Sequence, residues 1–388
     1  MSEMSHTPGP PAGSSGIRII ELNRPAEREQ WNLFVARSAF GHFMQTCEWG
    51  DFKCRMGWTS SRIGVEQDGR LVAGSQILFR KLPLFPYSIA YVPKGPMIDI
   101  GDRALAGALI RGLHEEAKKR RAMFVKIEPD FVNSQDTQER LADLGFKHVP
   151  MTNQPRCTFL VDLDIDEKTL LQNMDRNARR LIHRTEEQGV SIEAGTRASL
   201  DAFYDIMKDT AKEKSIPLHT KPFFVEAFDS LKNNGTPQLF FAKYQGRSVG
   251  ALFVFAYKRT SSHLWAGSST EGRKLSVAYP LHWTAMKWAK ENGCSRADLW
   301  GIPDEVAELI EQKTPISSEK DEGLWGVYRF KKSFGGRIQC YVGAYDHVYR
   351  RAAYRLFEWA YKRKGNLDSI STGIERLAGK RRRRGREE

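Results

Sequence analysis

The chain contains two segments of the same design, and this internal repetition restricts the folds that it can adopt. Gly64–Phe79 has the pattern of two strands around an Asp68-Gly69 turn, and Asp-Gly between alternating apolar residues is a strong β-hairpin signal. Phe241–Phe255 has the same pattern, with its turn at Gly246. We therefore expect one architecture that is used twice along the chain.

Each hairpin leads, after a third strand, to an amphipathic helix and then to a buried strand. The first copy predicts a helix over Arg103–Arg121 and a strand over Met123–Glu128. The second copy predicts a helix over Ala278–Asn292 and a strand over Arg296–Ile302, at a similar distance from its turn. A hairpin followed by a crossing helix and a parallel strand indicates an α/β fold with mixed sheets.

The remaining segments predict further elements around these two copies. Asp166–Gln188 has the composition of one long, highly charged helix, and two shorter helices are expected at about 198–213 and 221–232. A strand over Ile338–Val342 is expected to lead into a helix from about Tyr345 to Lys364. We expect the aromatic residues of this last helix to pack against the first copy.

The composition describes a basic protein of two domains. The 388 residues include 60 Lys and Arg against 47 Asp and Glu, which leaves a net charge of +13. Such a surplus favours an anionic partner: nucleic acid, a phosphate-bearing substrate or an acidic membrane surface. No apolar run is long enough to cross a membrane, and residues 1–16 lack the apolar stretch of a secretory signal. The sequence predicts a cytoplasmic protein that contacts the inner face of the membrane at most peripherally.

The cysteines and the common catalytic motifs exclude several classes. Five scattered cysteines without a CxxC pair favour a reducing compartment, with neither a disulfide framework nor a zinc site. HExxH, GxSxG and GxGxxG are absent, and Gly267–Lys274 only approximates a phosphate-binding loop, so a tight strand-to-helix turn is the better interpretation. The sequence therefore predicts no metal and no cofactor.

Several segments read together resemble the FemABX family, the aminoacyltransferases that build peptidoglycan interpeptide bridges from aminoacyl-tRNA. The most specific is Gly326–Gly336, which is similar to the family's FK-x-x-FG segment. The other segments that carry the resemblance are Gln45–Lys53, Tyr91–Asp99, Phe124–Pro129, Pro155–Leu163 with the Arg-rich helix after it, and Asp298–Gly301. They occur in the family's order between about residues 30 and 350.

The resemblance implies two tandem GNAT-like acyltransferase domains. We expect residues 1–16 as a disordered leader, 17–157 as the first domain, 158–342 as the second and 371–388 as a disordered basic tail. A C-terminal helix at 343–370 is expected to pack back on the first domain. The chain has no room between Val190 and Leu239 for the coiled-coil arm of some members, so it resembles the shorter FemX type.

The reaction implied by the resemblance is acyl transfer from aminoacyl-tRNA to an amine of the stem peptide. The implied acceptor is UDP-MurNAc-pentapeptide or the lipid-linked form, lipid II. Because the ester is already activated, the enzyme must mainly position both substrates and stabilise the oxyanion. The match to the family assigns that stabilisation to Lys331 and the wall of the same site to Phe330. From residue types alone, the better interpretation is that Phe330 and Phe334 are core residues of a strand and that Lys331 is solvated, and only the surrounding family pattern reverses it.

The resemblance also suggests residues that contact the two substrates. For the acceptor these are Lys53, Asp99, Tyr279 and, where the family has an arginine, Lys221. Three of them also have a structural interpretation: Lys53 as a helix-surface residue, Asp99 as a residue near a helix N-cap, and Tyr279 as a packing aromatic. For Lys221 the alternative is that this protein binds its acceptor in a different mode. The candidates for tRNA phosphates are Arg179, Arg180 and Lys332.

The sequence identifies neither a general base nor the oligomeric state. His219 and His263 are candidates for the base by residue type only, and a lone histidine is more often structural. Two rival functions stay open at this point. One is an N-acyltransferase that acts with acyl-CoA on another cell-envelope polysaccharide or lipid precursor, and the other is a non-catalytic adaptor for nucleic acid or membrane.

Overall fold

The computed structural model describes residues 16–82, 86–214, 217–316 and 325–364, with Ala307 and residues 360–364 described by their backbone alone. Residues 1–15 of the expected leader (1–16), the basic tail (371–388) and the last residues of the expected C-terminal helix (365–370) lie outside the described residues. The strands are β1 (Arg18–Glu21), β2 (Thr59–Gln67), β3 (Arg70–Lys81), β4 (Ser88–Pro93), β5 (Ala122–Glu128), β6 (Lys147–Val149), β7 (Cys157–Asp162), β8 (Ser191–Gly195), β9 (Thr236–Tyr244), β10 (Arg247–Tyr257), β11 (Thr260–Ser268), β12 (Arg296–Gly301), β13 (Arg337–Cys340) and β14 (Ala344–Val348). The helices are α1 (Arg28–Arg37), α2 (Cys47–Arg55), α3 (Arg103–Lys119), α4 (Gln135–Asp143), α5 (Glu167–Gln172), α6 (Arg176–Glu187), α7 (Leu200–Lys214), α8 (Lys221–Leu231), α9 (Thr270–Lys274), α10 (Ala278–Glu291), α11 (Asp304–Glu311), α12 (Trp325–Lys332) and α13 (Arg351–Lys364).

The strands form two mixed sheets of seven. The order in the first sheet is β1-β2-β3-β4-β5-β14-β6, and in the second β13-β7-β12-β11-β10-β9-β8. Both expected hairpins are present, β2–β3 with its turn at Asp68-Gly69 and β9–β10 with its turn at Gln245-Gly246. In each sheet the hairpin continues to a third strand, a crossing helix and a parallel strand, so the predicted repetition is confirmed.

Successive side chains along a strand point to opposite faces of its sheet, and both faces of each sheet are apolar. In β10, Phe253 and Phe255 point to one core and Leu252 and Val254 to another. Helix α3 covers one face of the first sheet and α10 one face of the second. The opposite faces of the two sheets contribute to one continuous core, which also contains side chains of α1, α2, α7 and α8. The two modules therefore meet across a shared apolar interior.

The expected long helix over Asp166–Gln188 is wrong, because the structure divides it into α5 and α6. Asp166 and Asp175 stand at the two N-cap positions, and the Asp175 N–H donates to the carbonyl of Ser333 at 2.8 Å. Gly335, with a φ of 69°, packs against Asn173 so closely that a Cβ would lie 2.4 Å from the Asn173 carbonyl oxygen. The interruption thus accommodates the Phe334-Gly335 turn.

The expected start of the last helix at Tyr345 is also wrong. Residues 344–348 form β14, which returns to the first sheet between β5 and β6, and α13 begins only at Arg351. Asp346 of β14 forms a fully buried ion pair with Lys126 of β5 at 2.9 Å, and the Tyr354 hydroxyl donates to Asp346 at 2.6 Å. Tyr354 and Phe357 are buried against Phe124 of the first module, as expected for aromatic residues of this helix, whereas Trp359 is exposed.

A disulfide joins Cys157 and Cys340, contrary to the expectation from the scattered cysteines. The two residues are directly opposed in the β7–β13 pair, although 183 positions separate them in the sequence. The chain enters the second module just before Cys157 and leaves it just after Cys340. These two connections lie side by side, because the Tyr341 N–H donates to the Arg156 carbonyl at 2.9 Å. The disulfide therefore links the outgoing and the returning chain.

Candidate active site

A cavity of about 380 Å³ lies between the two modules and is lined mainly by aromatic side chains. The first module contributes Trp49, Lys53, Trp58, Leu78 and Tyr91 together with residues 152–154, and the second contributes His219, Phe223, Leu264, Trp265 and Trp300. Such aromatic walls around a few polar groups are typical of ligand sites.

Lys53 places a positive charge in this cavity. Helix α2 begins at the Thr46 cap, whose hydroxyl accepts from the Trp49 N–H, and the helix directs Lys53 inward. Only 8% of Lys53 is exposed, and its Nζ lies 5.3 Å from the ring centroid of Trp58 and 5.9 Å from that of Phe223. Lys53 is therefore not a solvated residue of the helix surface, and its positive charge lies among the aromatic rings of the cavity wall.

A buried carboxylate lies behind the first-module wall. Glu128, at the end of β5, accepts hydrogen bonds from the Tyr91 hydroxyl and from the Asn153 N–H. Burial raises the pKa of Glu128 above its usual range. In the sequence, Glu128 lies in a segment, Phe124–Pro129, that stands out only through the family resemblance. Glu128 could have been identified as a candidate from its position at the C-terminal end of a buried parallel strand, because open α/β sheets bind ligands at that end.

The second sheet opens beside the cavity and the first sheet does not. β11 and β12 are paired only where Thr260–Ser262 face residues 296–298. Both strands continue beyond these positions without pairing to each other. The corresponding strands of the first sheet, β4 and β5, are paired through to Pro93 and Glu128. Trp265 and Trp300, which line the cavity, stand on the two strands beyond the point where their pairing ends. The two copies of the architecture thus differ at this position.

Lys331 lies directly behind this opening. Its Nζ donates to the Gly301 carbonyl at 2.6 Å, one residue beyond Trp300, and its side chain is buried. Burial lowers the pKa of Lys331 to about 8, while the carboxylate of Asp298 acts in the opposite direction. Lys331 itself is not among the residues that line the cavity. Its ammonium would meet a group that enters between β11 and β12.

Aromatic rings and two histidines surround Lys331. The Phe330 ring packs against Tyr279 and His282, at centroid distances of 5.0 and 5.2 Å. His282 Nδ1 lies 2.8 Å from His263 Nδ1, and both rings are buried. Burial lowers the pKa of both histidines, that of His263 to about 3, with the Lys331 ammonium acting in the same direction. The pair is therefore neutral at pH 7.

His263 keeps one ring nitrogen without a hydrogen bond. No described residue is a partner of His263 Nε2, which is buried. His263 was a candidate for the base by residue type, and its environment makes it a neutral donor or acceptor rather than a cation. His219, the other candidate, lies at the cavity and stacks on Phe223 with a centroid distance of 3.8 Å.

A second cavity of about 500 Å³ lies beyond the Trp300 wall, and Asp298, Asp130 and Tyr341 contribute to its lining. Lys94 pairs with Asp130 at 2.7 Å and holds its Nζ 5.7 Å from the Trp300 ring centroid. Trp300 has a φ of 65°, a left-handed conformation that is unusual for a bulky residue. Trp300, which lines the first cavity, is thus held in a constrained backbone conformation.

The structure places the other expected acceptor-binding residues away from the first cavity. Asp99 is exposed and accepts a hydrogen bond from the Gly101 N–H at 2.8 Å, close to the start of α3. Lys221, the first residue of α8, pairs with Asp201 at 2.7 Å in an exposed position. Tyr279 packs against Phe330 and Phe334. None of the three lines this cavity.

The expected tRNA-binding residues lie on the surface of the second module. Arg179 donates to the Gln172 carbonyl and Arg180 to Asn177 Oδ1, both at 2.8 Å. Lys332 is exposed, with its Nζ 5.9 Å from the Tyr328 ring centroid. Lys332 follows Lys331 on α12, so this surface adjoins the buried lysine.

Within the described parts of the chain, no helix is both long and apolar enough to span a bilayer. No group of three or more His, Cys, Asp or Glu side chains within the same ranges is placed to hold a metal ion.

Comparison with known proteins agrees with this architecture. The model of the FemAB family matches residues 26–243 and 235–362. Among curated relatives, the "Lipid II:glycine glycyltransferase" of Staphylococcus aureus strain MRSA252 is 24% identical over 406 residues, which cover 85% of this chain and 93% of the relative. The proteins of the same name from strains USA300 and NCTC 8325 match to the same extent.

Two solved structures show the likeness of the fold. The crystal structure of FemX superimposes with a TM-score of 0.76 at 22% identity and covers 88% of this chain and all of that one. A tandem GNAT protein from the clavulanic acid biosynthesis pathway has a TM-score of 0.51 at 12% identity and covers 85% of this chain and 98% of that one. The expected pair of GNAT-like modules is thereby confirmed.

Proposed function

The chain belongs to the FemAB family, and we propose that it transfers an aminoacyl group to an amine on the stem peptide of a peptidoglycan precursor. The names of the curated relatives, lipid II:glycine glycyltransferases, support both the class of reaction and the class of acceptor. The observation that carries the proposal is the opening between β11 and β12, which lies between the cavity that contains Lys53 and the buried ammonium of Lys331.

We assign the acceptor to the 380 Å³ cavity. Either lipid II or UDP-MurNAc-pentapeptide would bring phosphates, sugar rings and a peptide amine. The buried Lys53 can pair with a phosphate as a point charge, and Trp49, Trp58 and Trp265 offer flat apolar faces to sugar rings. Asp99, Tyr279 and Lys221 would reach the acceptor only where it extends beyond this cavity.

We assign the donor, an aminoacyl-tRNA, to the α12 side of the second sheet. The exposed Arg180 and Lys332 and the half-buried Arg179 would contact tRNA phosphates there. The 3′-terminal ester would enter beside Phe330 and reach the opening next to Lys331. Residues 17–157 with the returning C-terminal segment would then hold the acceptor, and residues 158–342 the donor. A protein that uses aminoacyl-tRNA works in the cytoplasm.

The proposed step forms one bond and breaks one. The acceptor nitrogen attacks the ester carbonyl, a C–N bond forms, and the bond from that carbon to the ribose oxygen breaks. The nitrogen loses one proton, and the departing ribose hydroxyl gains one. Negative charge develops on the carbonyl oxygen, and the Lys331 ammonium can donate a hydrogen bond to it in a site that excludes water.

The proposal is tested by transfer assays with the purified full chain. Glycyl-, alanyl- and seryl-tRNA are each combined with lipid II and with UDP-MurNAc-pentapeptide, and the products are identified by mass spectrometry. We expect a mass increase of one amino acid on one of the two acceptors, its loss in Lys331→Ala, and no change in the exposed control Lys168→Ala. Transfer from acetyl-CoA, with none from any aminoacyl-tRNA, would overturn it.

A further inference from the structure

Helix α13 has an apolar outer face that is unusual for a helix on the protein surface. Tyr354 and Phe357 are buried against the first sheet. On the opposite side, Leu356 is 48% exposed and Trp359 54% exposed. Ala352 and Leu356 are four residues apart and Trp359 follows three later, so the three lie in one stripe along the helix.

Basic side chains border this stripe. Arg351 and Arg355 are exposed on the same helix, one turn apart. The acidic side chain of this stretch, Glu358, interacts with Tyr354 on the packed side of the helix. The outer face of α13 thus combines a large aromatic side chain, a leucine and cations, as in helices that lie in the interface of a membrane.

A small basic cavity adjoins the start of α13. It has a volume of about 220 Å³ and is lined by Tyr87, Lys118, Arg121, Ala122, Tyr349 and Arg350. Three of these six residues are cations, and none of the described lining residues is acidic. Arg350 immediately precedes α13 and holds its guanidinium carbon 5.9 Å from the Tyr87 ring centroid. An anionic group such as a phosphate would find up to three cations there.

We propose that the basic cavity and the outer face of α13 form one docking site for a membrane surface that contains anionic phospholipids. A lipid phosphate occupies the cavity between Lys118, Arg121 and Arg350. Leu356 and Trp359 enter the boundary between headgroups and acyl chains, where the amphipathic ring of tryptophan is favoured. Arg351 and Arg355 add attraction to the negative surface.

The apolar stripe distinguishes a membrane from an RNA as the partner. An RNA backbone would be attracted by the same cations, but it gives no reason for an exposed leucine beside the tryptophan. A bilayer interface accepts both side chains and the cations together. Two observations, the cavity and the helix face, therefore point to the same partner.

The segment before α13 is connected through Lys126 to the wall of the cavity assigned to the acceptor. Lys126, which pairs with Asp346 of the returning segment, also donates to the Met151 carbonyl at 2.9 Å, and residues 152–154 line that cavity. Helix α13 thus follows a segment that is anchored to the cavity wall. Under the proposed function, docking would bring the cavity close to a lipid-linked acceptor, but the docking itself does not depend on that function.

The test is co-sedimentation of the full-length protein with vesicles that contain no acceptor. Vesicles of phosphatidylglycerol and phosphatidylcholine are compared with vesicles of phosphatidylcholine alone. We expect binding to the anionic vesicles, weakened about tenfold or more by Leu356→Ser with Trp359→Ser. The triple variant Lys118→Gln, Arg121→Gln, Arg350→Gln should bind about tenfold more weakly and with a smaller salt dependence.

Matched controls separate this site from the general positive charge of the protein. Leu33→Ser removes an exposed leucine from α1, and Arg176→Gln with Arg180→Gln removes two exposed cations from α6. We expect near wild-type vesicle binding for both controls, and unchanged melting temperatures for all variants. The proposal would be overturned if the α13 and cavity variants kept wild-type vesicle binding, or if the controls lost as much vesicle binding as these variants. It would also be overturned if the variants lost tRNA binding alone. Transfer to a soluble acceptor, measured separately, tests the proposed function and not this one.

Discussion

The carboxylate of Asp298 accepts a hydrogen bond of 2.7 Å from the backbone N–H of Trp300. The same oxygen, Oδ1, also contacts the Thr158 hydroxyl, which lies 2.9 Å from the Trp300 carbonyl. These contacts maintain Trp300 in its left-handed conformation between the two cavities.

Asp298→Ala should therefore destabilise the protein by about 1–3 kcal/mol, because it leaves the Trp300 N–H without its acceptor and the strained turn without support. Asp298→Asn keeps an oxygen at the same place and removes a buried charge, so its free energy of unfolding should stay within about 1 kcal/mol of wild type. Urea unfolding of both variants measures the difference. Equal losses in Ala and Asn would contradict a role for the hydrogen bond.

Lys331→Ala should lower kcat for aminoacyl transfer by about 10²- to 10³-fold, since it removes one buried donor from the proposed oxyanion site. Lys331→Arg should retain part of the activity, because it keeps the charge but changes the shape of the donor. Single-turnover rates with bound aminoacyl-tRNA report the effect. A change in KM alone would assign Lys331 to binding.

The pH dependence of transfer should show an alkaline limb near the Lys331 pKa of about 8. Burial lowers this pKa, so the ammonium loses its proton at a lower pH than an exposed lysine, and activity that needs the ammonium falls as pH rises through 8. Lys331→Arg should abolish the limb. Asp298→Asn should move it to lower pH, because Asp298 favours the charged lysine. An unchanged limb in both variants would assign it to another group.

Lys53→Ala should raise KM for the acceptor by about tenfold with a smaller change in kcat, as expected when a binding charge is removed. The exposed Lys221, which pairs with Asp201, provides the contrast. Lys221→Ala should change either constant less than about twofold, as for most exposed pairs. The reverse order of effects would place the acceptor at the start of α8.

Asp346→Ala should destabilise the protein by about 3–5 kcal/mol, since it leaves the Lys126 ammonium buried without its counter-ion. The double change Lys126→Met with Asp346→Leu should recover part of that loss, because it removes both charges but leaves the Tyr354 hydroxyl and the Met151 carbonyl without these partners. Urea unfolding of the three proteins provides the test. A double variant as unstable as Asp346→Ala would show that the geometry, not the charge, is essential.

The sequence predicted the local elements of the fold well because their signals are local. The Asp68-Gly69 turn requires positive φ at both residues, and the alternation along β10 marks both of its faces. The break at Asn173 was missed because its cause, the Phe334-Gly335 turn, is far away in the sequence. Strand β14 was missed for a similar reason, since its partners β5 and β6 come some two hundred residues earlier.

The site was only partly predictable. Lys53 and Lys331 were identified through a family resemblance, but nothing in the residue types indicated that both are buried. Asp99 and Lys221 were expected to contact the acceptor and do not line the 380 Å³ cavity, because sequence order does not specify which loops face the cleft. The His263–His282 contact depends on the register of β11 against α10, which no local pattern encodes.

The position of β14 between β5 and β6 of the first sheet has a consequence for biosynthesis. All strands of the second sheet have been made by Cys340, whereas the first sheet still lacks an interior strand until Val348 emerges from the ribosome. The half of the protein that is translated first is therefore the half that is finished last. A nascent chain that stalls before this point exposes two unpaired strand edges, and it should depend on chaperones more than a chain released at full length.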